Sequence, residues 1–526
     1  MSASMVLALA LRPHAASAPD STAVVEPGRT WSYGALDAHA DAQAAGLVAA
    51  DIVPGDRLVL LATPSASAIA LLAGAGRIGA CVAPLGTTLT APELAAAGVV
   101  IGPRLAVHDA EHVEGARALG VPTVLLETLG AGVAGAAGPQ TAFDLDPTAP
   151  AVAILTSGTT GRPKAALLSH ASMAASATAW SAALPEATGW VLCLGLAHVA
   201  GLGVAWRAIG AGVPLRVIPE FEVGPVLDAL GYPHASHVSL VPTQLARLLD
   251  ADAEGLGPGQ ANLRAVLLGG APIPPELVAR ARAAGWPVVP TYGLTEAGSG
   301  VSALATGDVA AHPGSAGRPL PGVGIRIADP AADGTGEIQV RTPAVFSGYL
   351  GRPEATAAAF EADGWLRTGD AGRIDADGFL HVLDRRDDLI VSGGENVFPA
   401  EVEAVLAGHP GIAEAGVTGR PDPAWGAVPV ASVVPRPGAP VPDDAELRAF
   451  CRARLAPYKV PTAFFVVESL PRTVSGKLRR SELRAALAVP APAVPPRAGD
   501  PATPDDAARE DDPSSPDVAP REDVSA

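Results

Sequence analysis

The segment LTSGTTGRPKA, residues 155–165, restricts the fold of this chain more than any other stretch of its sequence. A short apolar run, residues 151–155, leads into it and is typical of a buried β-strand. Glycines let backbone N–H groups approach an anion closely, hydroxyls donate hydrogen bonds, and a lysine adds positive charge. We therefore predict a strand that opens into a polyphosphate-binding loop, formed by Thr156, Ser157, Gly158, Thr159, Thr160, Gly161 and Lys164.

This loop serves the purpose of a Walker-type phosphate loop but lacks its pattern. The residues TTGRPK follow Gly158, and Ala165 rather than a serine or threonine comes directly after Lys164, so a hydroxyl for magnesium is missing there. A flexible surface turn is the alternative interpretation. Turns rarely combine four hydroxyls, two glycines and a lysine directly behind a buried strand, which favours phosphate binding.

Four more segments accompany the loop: YGLTE at 292–296, TGD at 368–370, DRRDDLIVSGGENVFPAEVE at 384–403 and PRTVSGKLRR at 471–480. Together with the loop, and in this order and spacing, they resemble the core motifs of the adenylate-forming enzymes. That family includes acyl-CoA synthetases, the adenylation domains of peptide synthetases and firefly luciferase. The resemblance implies an AMP-forming acid–thiol ligase that uses ATP, Mg²⁺ and CoA.

The same resemblance assigns the nucleotide contacts. Tyr292 offers a flat face for adenine, and Asp370 and Arg385 match positions that hold the ribose hydroxyls, a natural use of a carboxylate acceptor and a forked donor. Taken singly, such residues are more often turn residues or salt-bridge partners, but as a constellation they favour a nucleotide site. The full set assigned to ATP and AMP outside the loop is Gly269, Gly270, Ala271, Tyr292, Gly293, Thr295, Asp370 and Arg385.

Three residues are predicted to be catalytic: Lys477, Glu296 and His198, the last of which also belongs to the acyl pocket. Lys477 matches the family's lysine that bridges the carboxylate and phosphate oxygens; an ordinary surface lysine on a basic stretch is the alternative. Glu296 matches a catalytic glutamate associated with magnesium, and a hard cation held by few carboxylates and by phosphate oxygens suits a nucleotide.

The resemblance also implies a mobile domain. Asp387 matches the hinge about which a small domain swings between two arrangements, one for adenylation and one for thioester formation. In the second arrangement the loop that contains Gly393 and Gly394 helps to place the pantetheine thiol of CoA.

Substrate choice depends on three residues, His198, Arg207 and Ser302. His198 matches a position that borders the acyl pocket, with a structural histidine as the alternative. No acidic residue occurs between positions 193 and 203 to pair an ammonium, so α-amino acids are disfavoured. Arg207 lies in an apolar helical stretch, 199–209, and needs an anion there. A second substrate carboxylate, a structural aspartate or a helix-end carbonyl would each serve.

Arg207 and segments around positions 237, 267 and 413 look like the o-succinylbenzoate-CoA ligase branch of the family, which makes a menaquinone precursor. In that branch one aliphatic carboxylate is activated and an aryl carboxylate is recognised, here by Arg207 with Ser302 as a possible assistant. The alternatives are a CoA ligase for another aryl acid, malonate or a fatty acid, and a stand-alone adenylation enzyme that loads a carrier protein.

Apolar runs and Ala-rich helical stretches alternate along most of the chain, which predicts α/β layers with parallel strands. Residues 317–345 have short alternating runs that indicate an antiparallel or barrel-like piece. We predict a large N-terminal adenylation domain over 1–383 and a small, mobile α+β domain over 384–487. A disordered acidic tail rich in Pro and Ala is predicted over 488–526.

Composition limits the partners. A net charge of −18 argues against nucleic acid, and no run approaches the ~18 apolar residues of a membrane span, so stable membrane insertion is not expected. Three widely separated cysteines predict neither a disulfide framework nor a zinc site and favour a reducing, cytoplasmic location. A small carboxylic acid is the expected partner, and the oligomeric state is left open, with a homodimer as one option.

Overall fold

The computed structural model describes residues 6–131, 145–156, 163–253, 262–271, 273–330, 334–385, 390–397, 399–471, 478 and 480–487. The chain divides into two compact units, residues 1–484 and 485–526. In the second unit, residues 485–487 are described and end the last helix. The predicted tail lies outside the described residues, as do Ser157, Gly158, Thr159, Thr160, Gly161, Asp387 and Lys477.

The α-helices within the described residues are α1 Leu7–Ser17, α2 Tyr33–Ala49, α3 Ala66–Arg77, α4 Ala91–Ile101, α5 Val113–Arg117, α6 His170–Ala183, α7 Val199–Ala211, α8 Val223–Leu230, α9 Pro242–Ala253, α10 Pro275–Ala283, α11 Pro353–Ala358, α12 Pro399–Ala407, α13 Asp444–Arg452 and α14 Arg480–Leu487. None of these helices is both long enough and apolar enough to cross a lipid bilayer.

The strands of the same residues are β1 Thr22–Glu26, β2 Arg29–Ser32, β3 Arg57–Leu61, β4 Cys81–Pro84, β5 Leu105–His108, β6 Thr123–Leu125, β7 Pro150–Thr156, β8 Lys164–Ser169, β9 Trp190–Leu192, β10 Leu215–Val217, β11 His237–Leu240, β12 Ala265–Leu268, β13 Val288–Tyr292, β14 Ser302–Ala303, β15 Arg318–Pro319, β16 Gly324–Ala328, β17 Gly336–Arg341, β18 Gly348–Tyr349, β19 Leu366–Ile374, β20 Leu380–Arg385, β21 Ile390–Ser392, β22 Glu395–Val397, β23 Ile412–Asp422, β24 Gly426–Pro435 and β25 Phe464–Val466.

Two sheets with parallel centres form the large N-terminal part, as the alternation of apolar runs predicts. One has the order β15-β14-β13-β12-β11-β9-β10-β1-β2, and the other has the order β18-β8-β7-β4-β3-β5-β6. In the first, β10, β9, β11, β12 and β13 pair in parallel, whereas β2, β14 and β15 add antiparallel edges. Buried helices such as α3 and α7 pack beside these strands and share one large apolar core with them.

Local structure follows the sequence closely around the predicted loop. Strand β7 covers the apolar run, and Ser169 caps α6, because its hydroxyl oxygen accepts a hydrogen bond from the Ser172 N–H at 3.0 Å. One element was not predicted: Lys164 begins β8, which pairs antiparallel with β7 so that Thr156 lies opposite Lys164. The predicted loop is therefore the connection of a hairpin.

The remaining two sheets are mainly antiparallel. Strands β16-β17-β19-β20 form a four-stranded sheet, which confirms the antiparallel form of the interpretation of residues 317–345. Further along the chain, β22-β21-β24-β23 with β25 form a sheet against which α12 and α13 pack around a separate apolar core. This α+β unit agrees with the predicted small C-terminal fold.

Candidate active site

The ends of two neighbouring parallel strands build the first part of the site. In the register of β12 and β13, Leu268 lies opposite Pro290, so both strands finish at the same sheet edge. The predicted residues Gly270, Ala271, Tyr292 and Gly293 then line one cavity of about 380 Å³. A planar ring facing exposed backbone is a suitable environment for a flat heterocycle such as adenine.

Two glycines here are required by close packing. A Cβ atom at Gly293 would lie 1.5 Å from the Ser299 carbonyl oxygen, and one at Gly269 would lie 2.3 Å from the Thr291 hydroxyl oxygen. Distances below 3.0 Å do not occur for real Cβ atoms. The backbone beside the cavity is thus held in contacts that side chains would prevent.

Tyr292, which lines this cavity, contacts one of the predicted ribose residues. The Tyr292 hydroxyl donates a hydrogen bond to Asp370 Oδ2 at 2.6 Å, and Asp370 lies opposite Arg385 in the register of β19 and β20. Asp370 is buried. The antiparallel sheet therefore carries a carboxylate acceptor to the end of the parallel sheet, where it can accept a sugar hydroxyl.

The hairpin of β7 and β8 brings Lys164 to a pair of acidic and phenolic groups. Lys164 Nζ lies 4.8 Å from the centre of the Tyr349 ring, and the Tyr349 hydroxyl donates to Glu296 Oε1 at 2.7 Å. Glu296 belongs to a short 3₁₀ turn, Thr295–Ala297, that follows β13. Two predicted residues, Lys164 and Glu296, are thus joined by Tyr349, which the sequence did not single out.

Glu296 fits the magnesium that the sequence predicts for a nucleotide site. One oxygen accepts the Tyr349 hydroxyl, and no described residue donates to Oε2. Mg²⁺ is usually bound by one or two carboxylates together with phosphate oxygens and water. The described parts of the chain contain no group of three or more His, Cys, Asp and Glu side chains that could hold a metal ion. Glu296 would therefore hold Mg²⁺ jointly with the nucleotide, and the ion would neutralise phosphate charge.

A second cavity, of about 590 Å³, lies between the N-terminal part and the C-terminal α+β unit. Thr156, Thr295 and His198 line it from one side, and Glu395 and Lys459 line it from the other. The cavity therefore joins the ends of the predicted phosphate loop to the histidine of the predicted acyl pocket and to the turn predicted to place CoA.

His198 and Glu395 form an ion pair across this cavity, with His198 Nε2 3.2 Å from Glu395 Oε2. The two side chains are 50% and 38% exposed, so water screens part of their attraction. Desolvation disfavours the charged imidazole, but the hydrogen bond and charge of Glu395 raise the pKa of His198 above its ordinary value. Desolvation likewise opposes ionisation of Glu395, yet His198 lowers the pKa of that carboxyl.

The predicted CoA-binding glycines lie in the turn before β22. Gly394 has φ +90°, and a Cβ atom there would lie 2.7 Å from Val241 of the N-terminal part. Gly393 has φ +61°, and its Cβ would lie 2.5 Å from the Trp425 ring. Both positions therefore need glycine for their backbone angle and for close contact.

Lys477 lies outside the described residues, but its neighbours are placed on the C-terminal unit. Leu478 packs beside Gly416 of β23, and Arg480 donates to both carboxylate oxygens of Glu403 at 2.9 and 2.7 Å. The turn that faces His198 and Val241, by contrast, is formed by residues 393–395.

Arg207 is buried in α7, with 2% of its surface exposed. Its guanidinium lies 4.6 Å from the centre of the Trp190 ring and 3.4 Å from the Ser239 hydroxyl, and no carboxylate pairs with it among the described residues. Among the residues that the structure describes, Arg207 Nε and Trp180 Nε1 are buried without a hydrogen-bond partner. Burial lowers the pKa of Arg207 to about 9, so the group stays charged at neutral pH.

Ser302 is buried in β14, which belongs to the same sheet as β9 and β11. Its hydroxyl donates a hydrogen bond to the Ala316 carbonyl at 2.8 Å. Among the described residues no hydrogen bond joins Ser302 to Arg207. The groups that surround Arg207 are Ser239 and two tryptophans, Trp180 and Trp190. An apolar Trp in an Ala-rich helix gives no sequence signal for such a role.

These features define a protein of the AMP-binding class: parallel strands that end at a glycine-lined cavity, a hairpin whose second strand begins at Lys164, and a small α+β unit that lines a second cavity together with the N-terminal part. The sequence profile of AMP-binding enzymes matches residues 11–350, and that of the AMP-binding enzyme C-terminal domain matches residues 401–477. The chain belongs to the AMP-binding enzymes.

Two characterised relatives are similar over nearly the whole chain. The 2-succinylbenzoate–CoA ligase of Geobacillus kaustophilus is 39% identical over 488 residues, which cover 90% of this chain and 96% of the relative. The feruloyl-CoA synthase of an Amycolatopsis species is 38% identical over 482 residues, which cover 89% and 96%.

Solved structures agree with this relationship. The o-succinylbenzoate CoA synthetase from Bacillus subtilis, a double mutant bound with its product analogue OSB-NCoA, gives a TM-score of 0.83 at 33% identity and covers 90% of this chain and 98% of that chain. The same enzyme in complex with the acyl-adenylate intermediate OSB-AMP gives 0.66 at 34% identity, with 90% and 97% covered. The amide bond synthetase from Marinactinospora thermotolerans gives 0.82 at 32% identity, with 90% and 99% covered.

Proposed function

We propose that this protein is an ATP-dependent carboxylate–CoA ligase whose acid is o-succinylbenzoate. In the first half-reaction the aliphatic carboxylate attacks the α-phosphorus of ATP, which forms the acyl-adenylate and releases pyrophosphate. In the second, the CoA thiol attacks the acyl carbonyl, which forms the thioester and releases AMP. The names of the relatives and their binding of adenylate and CoA analogues support this assignment.

The observation that carries the choice of acid is the buried charge of Arg207. A buried charge without a counter-charge is unfavourable in free energy, so the guanidinium of Arg207 is stabilised when an anion binds beside it. Arg207 Nε and Trp180 Nε1, which have no hydrogen-bond partner in the described parts of the chain, are donors suited to a carboxylate. We assign them to the aryl carboxylate of the substrate.

The position of the guanidinium suits an acid with two carboxylates. Its Nη1 would be 3.1 Å from a Cβ at Gly203, so the side chain of Arg207 folds back along α7 towards its N-terminus. Gly203 is five residues from His198, or about 7.5 Å along a helix. That separation allows one carboxylate at Arg207 and another near His198 and the phosphate-binding hairpin.

The arrangement of the two parts supports an assignment to the second half-reaction. Residues 393–395 face the N-terminal part, and similarity is greater to the relative bound to a product analogue than to its adenylate complex. We infer that rotation near Asp387 exchanges this face for the one that carries Lys477. Within the proposal, residues 1–383 bind ATP and the acid, residues 384–487 are the mobile domain, and the enzyme is cytoplasmic.

An acid panel tests the choice of substrate. Acid-dependent exchange of pyrophosphate with ATP is measured for o-succinylbenzoate, ferulate, benzoate, malonate and a medium-chain fatty acid, followed by CoA-dependent AMP release. We expect o-succinylbenzoate to have the highest kcat/KM in both assays. A higher value for ferulate or a fatty acid would contradict the choice of acid while retaining the ligase.

The likeness to an amide bond synthetase gives a second candidate for the acceptor. In that case an amine would replace the CoA thiol in the second half-reaction, after the same adenylation. AMP release with a panel of amines and no CoA distinguishes the two, because a CoA ligase releases AMP at a useful rate only when the thiol is present.

Replacing Glu395 by glutamine is expected to slow the CoA-dependent step in a pH-dependent way. The raised pKa of His198 means that the pair stabilises this arrangement fully below about pH 6.5 and loses that contribution as the pH rises through the raised value. The lowered pKa of Glu395 means that its contribution is present above about pH 4.5 and is lost as the pH falls through the lowered value.

The measurement is the ratio of wild-type to Glu395→Gln rates of CoA-dependent AMP release between pH 5.5 and 9. We expect the ratio to be largest near pH 6 and to approach one at high pH. Ionisation of the CoA thiol affects both proteins equally and cancels. A ratio independent of pH would exclude a role for the charged pair.

A further inference from the structure

A buried lysine joins the N-terminal part to the C-terminal unit at a second point. Lys459 Nζ donates to Glu93 Oε1 and to Glu401 Oε1, both at 2.8 Å. The side chains of Lys459 and Glu93 are each 9% exposed, and that of Glu401 is 21% exposed. We call these three residues the Lys459 triad.

The members of the triad come from different parts of the chain. Glu93 lies in the first turn of α4, within the range matched by the AMP-binding profile. Lys459 and Glu401 both belong to the range matched by the C-terminal domain. Any rotation of the C-terminal unit carries Lys459 and Glu401 together and separates them from Glu93.

Glu93 is held in place by a hydrogen bond that does not involve Lys459. Glu93 Oε2 accepts the backbone N–H of Thr90 at 2.9 Å, which fixes the carboxylate at the start of α4. The Thr90 hydroxyl also donates to the Arg454 carbonyl at 3.0 Å. The start of α4 thus presents a charged group and a hydroxyl to the C-terminal unit.

We propose that Lys459 is a positioning residue that holds the C-terminal unit in the thioester-forming arrangement through Glu93. The proposal rests on the proposed function, because it assigns the present arrangement to the second half-reaction. Lys459, Glu93 and Glu401 line the same cavity as His198 and Glu395. The triad therefore forms part of one wall of that cavity, and none of its hydrogen bonds among the described residues goes to Tyr292, Asp370 or Arg207.

Charge and burial explain why the contact favours one arrangement. Replacing Glu93 removes a charge-assisted hydrogen bond that forms only while the two parts are in contact, and Lys459 keeps its pairing with Glu401 of its own unit. A change at Glu93 therefore penalises the arrangement in which Lys459 is buried and leaves the other nearly unaffected. A two-state equilibrium shifts by the size of that difference.

The test replaces Glu93 by glutamine, which keeps an oxygen for the Thr90 N–H and so preserves the start of α4. We expect CoA-dependent AMP release to fall about 10- to 100-fold, while pyrophosphate exchange stays within about twofold or rises. Lys459→Met is expected to give the same pattern, and the double variant should add little to either single loss. Glu114→Gln is the matched control, since Glu114 is 79% exposed and pairs with Arg117 of its own helix.

A second readout does not depend on catalysis. Val99 on α4 and Val466 on β25 are 86% and 56% exposed, whereas Cys81, Cys193 and Cys451 are buried, so labels can be placed on Val99→Cys and Val466→Cys. Double electron–electron resonance should show that Glu93→Gln depletes the distance population that dominates in the parent protein.

The outcomes separate the two proposals. Equal loss of both half-reactions in Glu93→Gln, or an unchanged label distance, would overturn the role of the triad. If the parent protein released no AMP with any acid and CoA, the proposed function would fail, and the label distances would still decide whether Glu93 holds the arrangement.

Discussion

Replacing Lys477 by alanine is expected to lower acid-dependent pyrophosphate exchange by roughly 10²–10³-fold, the cost of losing one preorganised charged donor at a reacting centre. Adenylation brings a carboxylate and a triphosphate together, so a cation that bridges them stabilises charge that develops only in the transition state. The decrease should appear in kcat rather than in KM for ATP, because the substitution leaves unchanged the hairpin and the Tyr292 cavity to which we assign the nucleotide.

The same variant should retain the second half-reaction. In the present arrangement the neighbours of position 477, Leu478 and Arg480, pack on Gly416 and Glu403 of the C-terminal unit, while residues 393–395 face the N-terminal part. Lys477→Ala supplied with presynthesised acyl-adenylate and CoA should therefore form thioester at a rate within a few fold of the parent. Undiminished exchange, or loss of both steps, would contradict the assigned role.

Replacing Arg207 by leucine is expected to erase the preference for the dicarboxylate. Hydrogen bonds to a charged group contribute about 1.5–3 kcal/mol, so kcat/KM for o-succinylbenzoate should fall about 10- to 100-fold. Benzoate and fatty acids do not use this partner, and their values should stay within a few fold. Arg207→Lys keeps the positive charge but loses the planar, forked guanidinium. Its kcat/KM for o-succinylbenzoate should therefore lie between those of the parent protein and Arg207→Leu.

Stability provides the control for this variant, and its expected direction is unusual. Replacing a buried charge by an apolar side chain of similar size is often neutral or stabilising by about 1–4 kcal/mol. Arg207 has no carboxylate partner among the described residues, so Arg207→Leu should unfold at the same temperature as the parent protein or higher. A lower unfolding temperature, together with an equal loss of kcat/KM for every acid, would show that Arg207 has a structural role.

Much of the fold was predictable because its determinants are local. Strands β3 and β12, for example, are short apolar runs of the kind that predicts buried strands. Strand β8 was not predicted, because Lys164 to Ser169 gains its strand geometry from pairing with β7 rather than from its own residues. Pairing partners are a property of the folded chain.

The site divides in the same way. Residues within the motifs, such as Tyr292 and Asp370, were predicted, and a hydrogen bond joins these two side chains although their strands belong to different sheets. Tyr349 and Lys459 were missed, since their partners lie 53 and 366 positions away and neither residue has a local pattern that indicates a site. Such contacts need the folded structure to become visible.

The end of β20 has a consequence for how the adenylate survives the change of arrangement. Asp370 and Arg385 face each other across two paired strands, and Asp387, the predicted hinge, follows two positions later. When a domain rotates as a rigid body, the displacement of an atom grows with its distance from the rotation axis. The predicted ribose contacts are close in sequence to the predicted hinge, so we expect a bound ribose to move little when the C-terminal unit rotates. We therefore expect the acyl-adenylate to stay bound while one face of the C-terminal unit replaces the other.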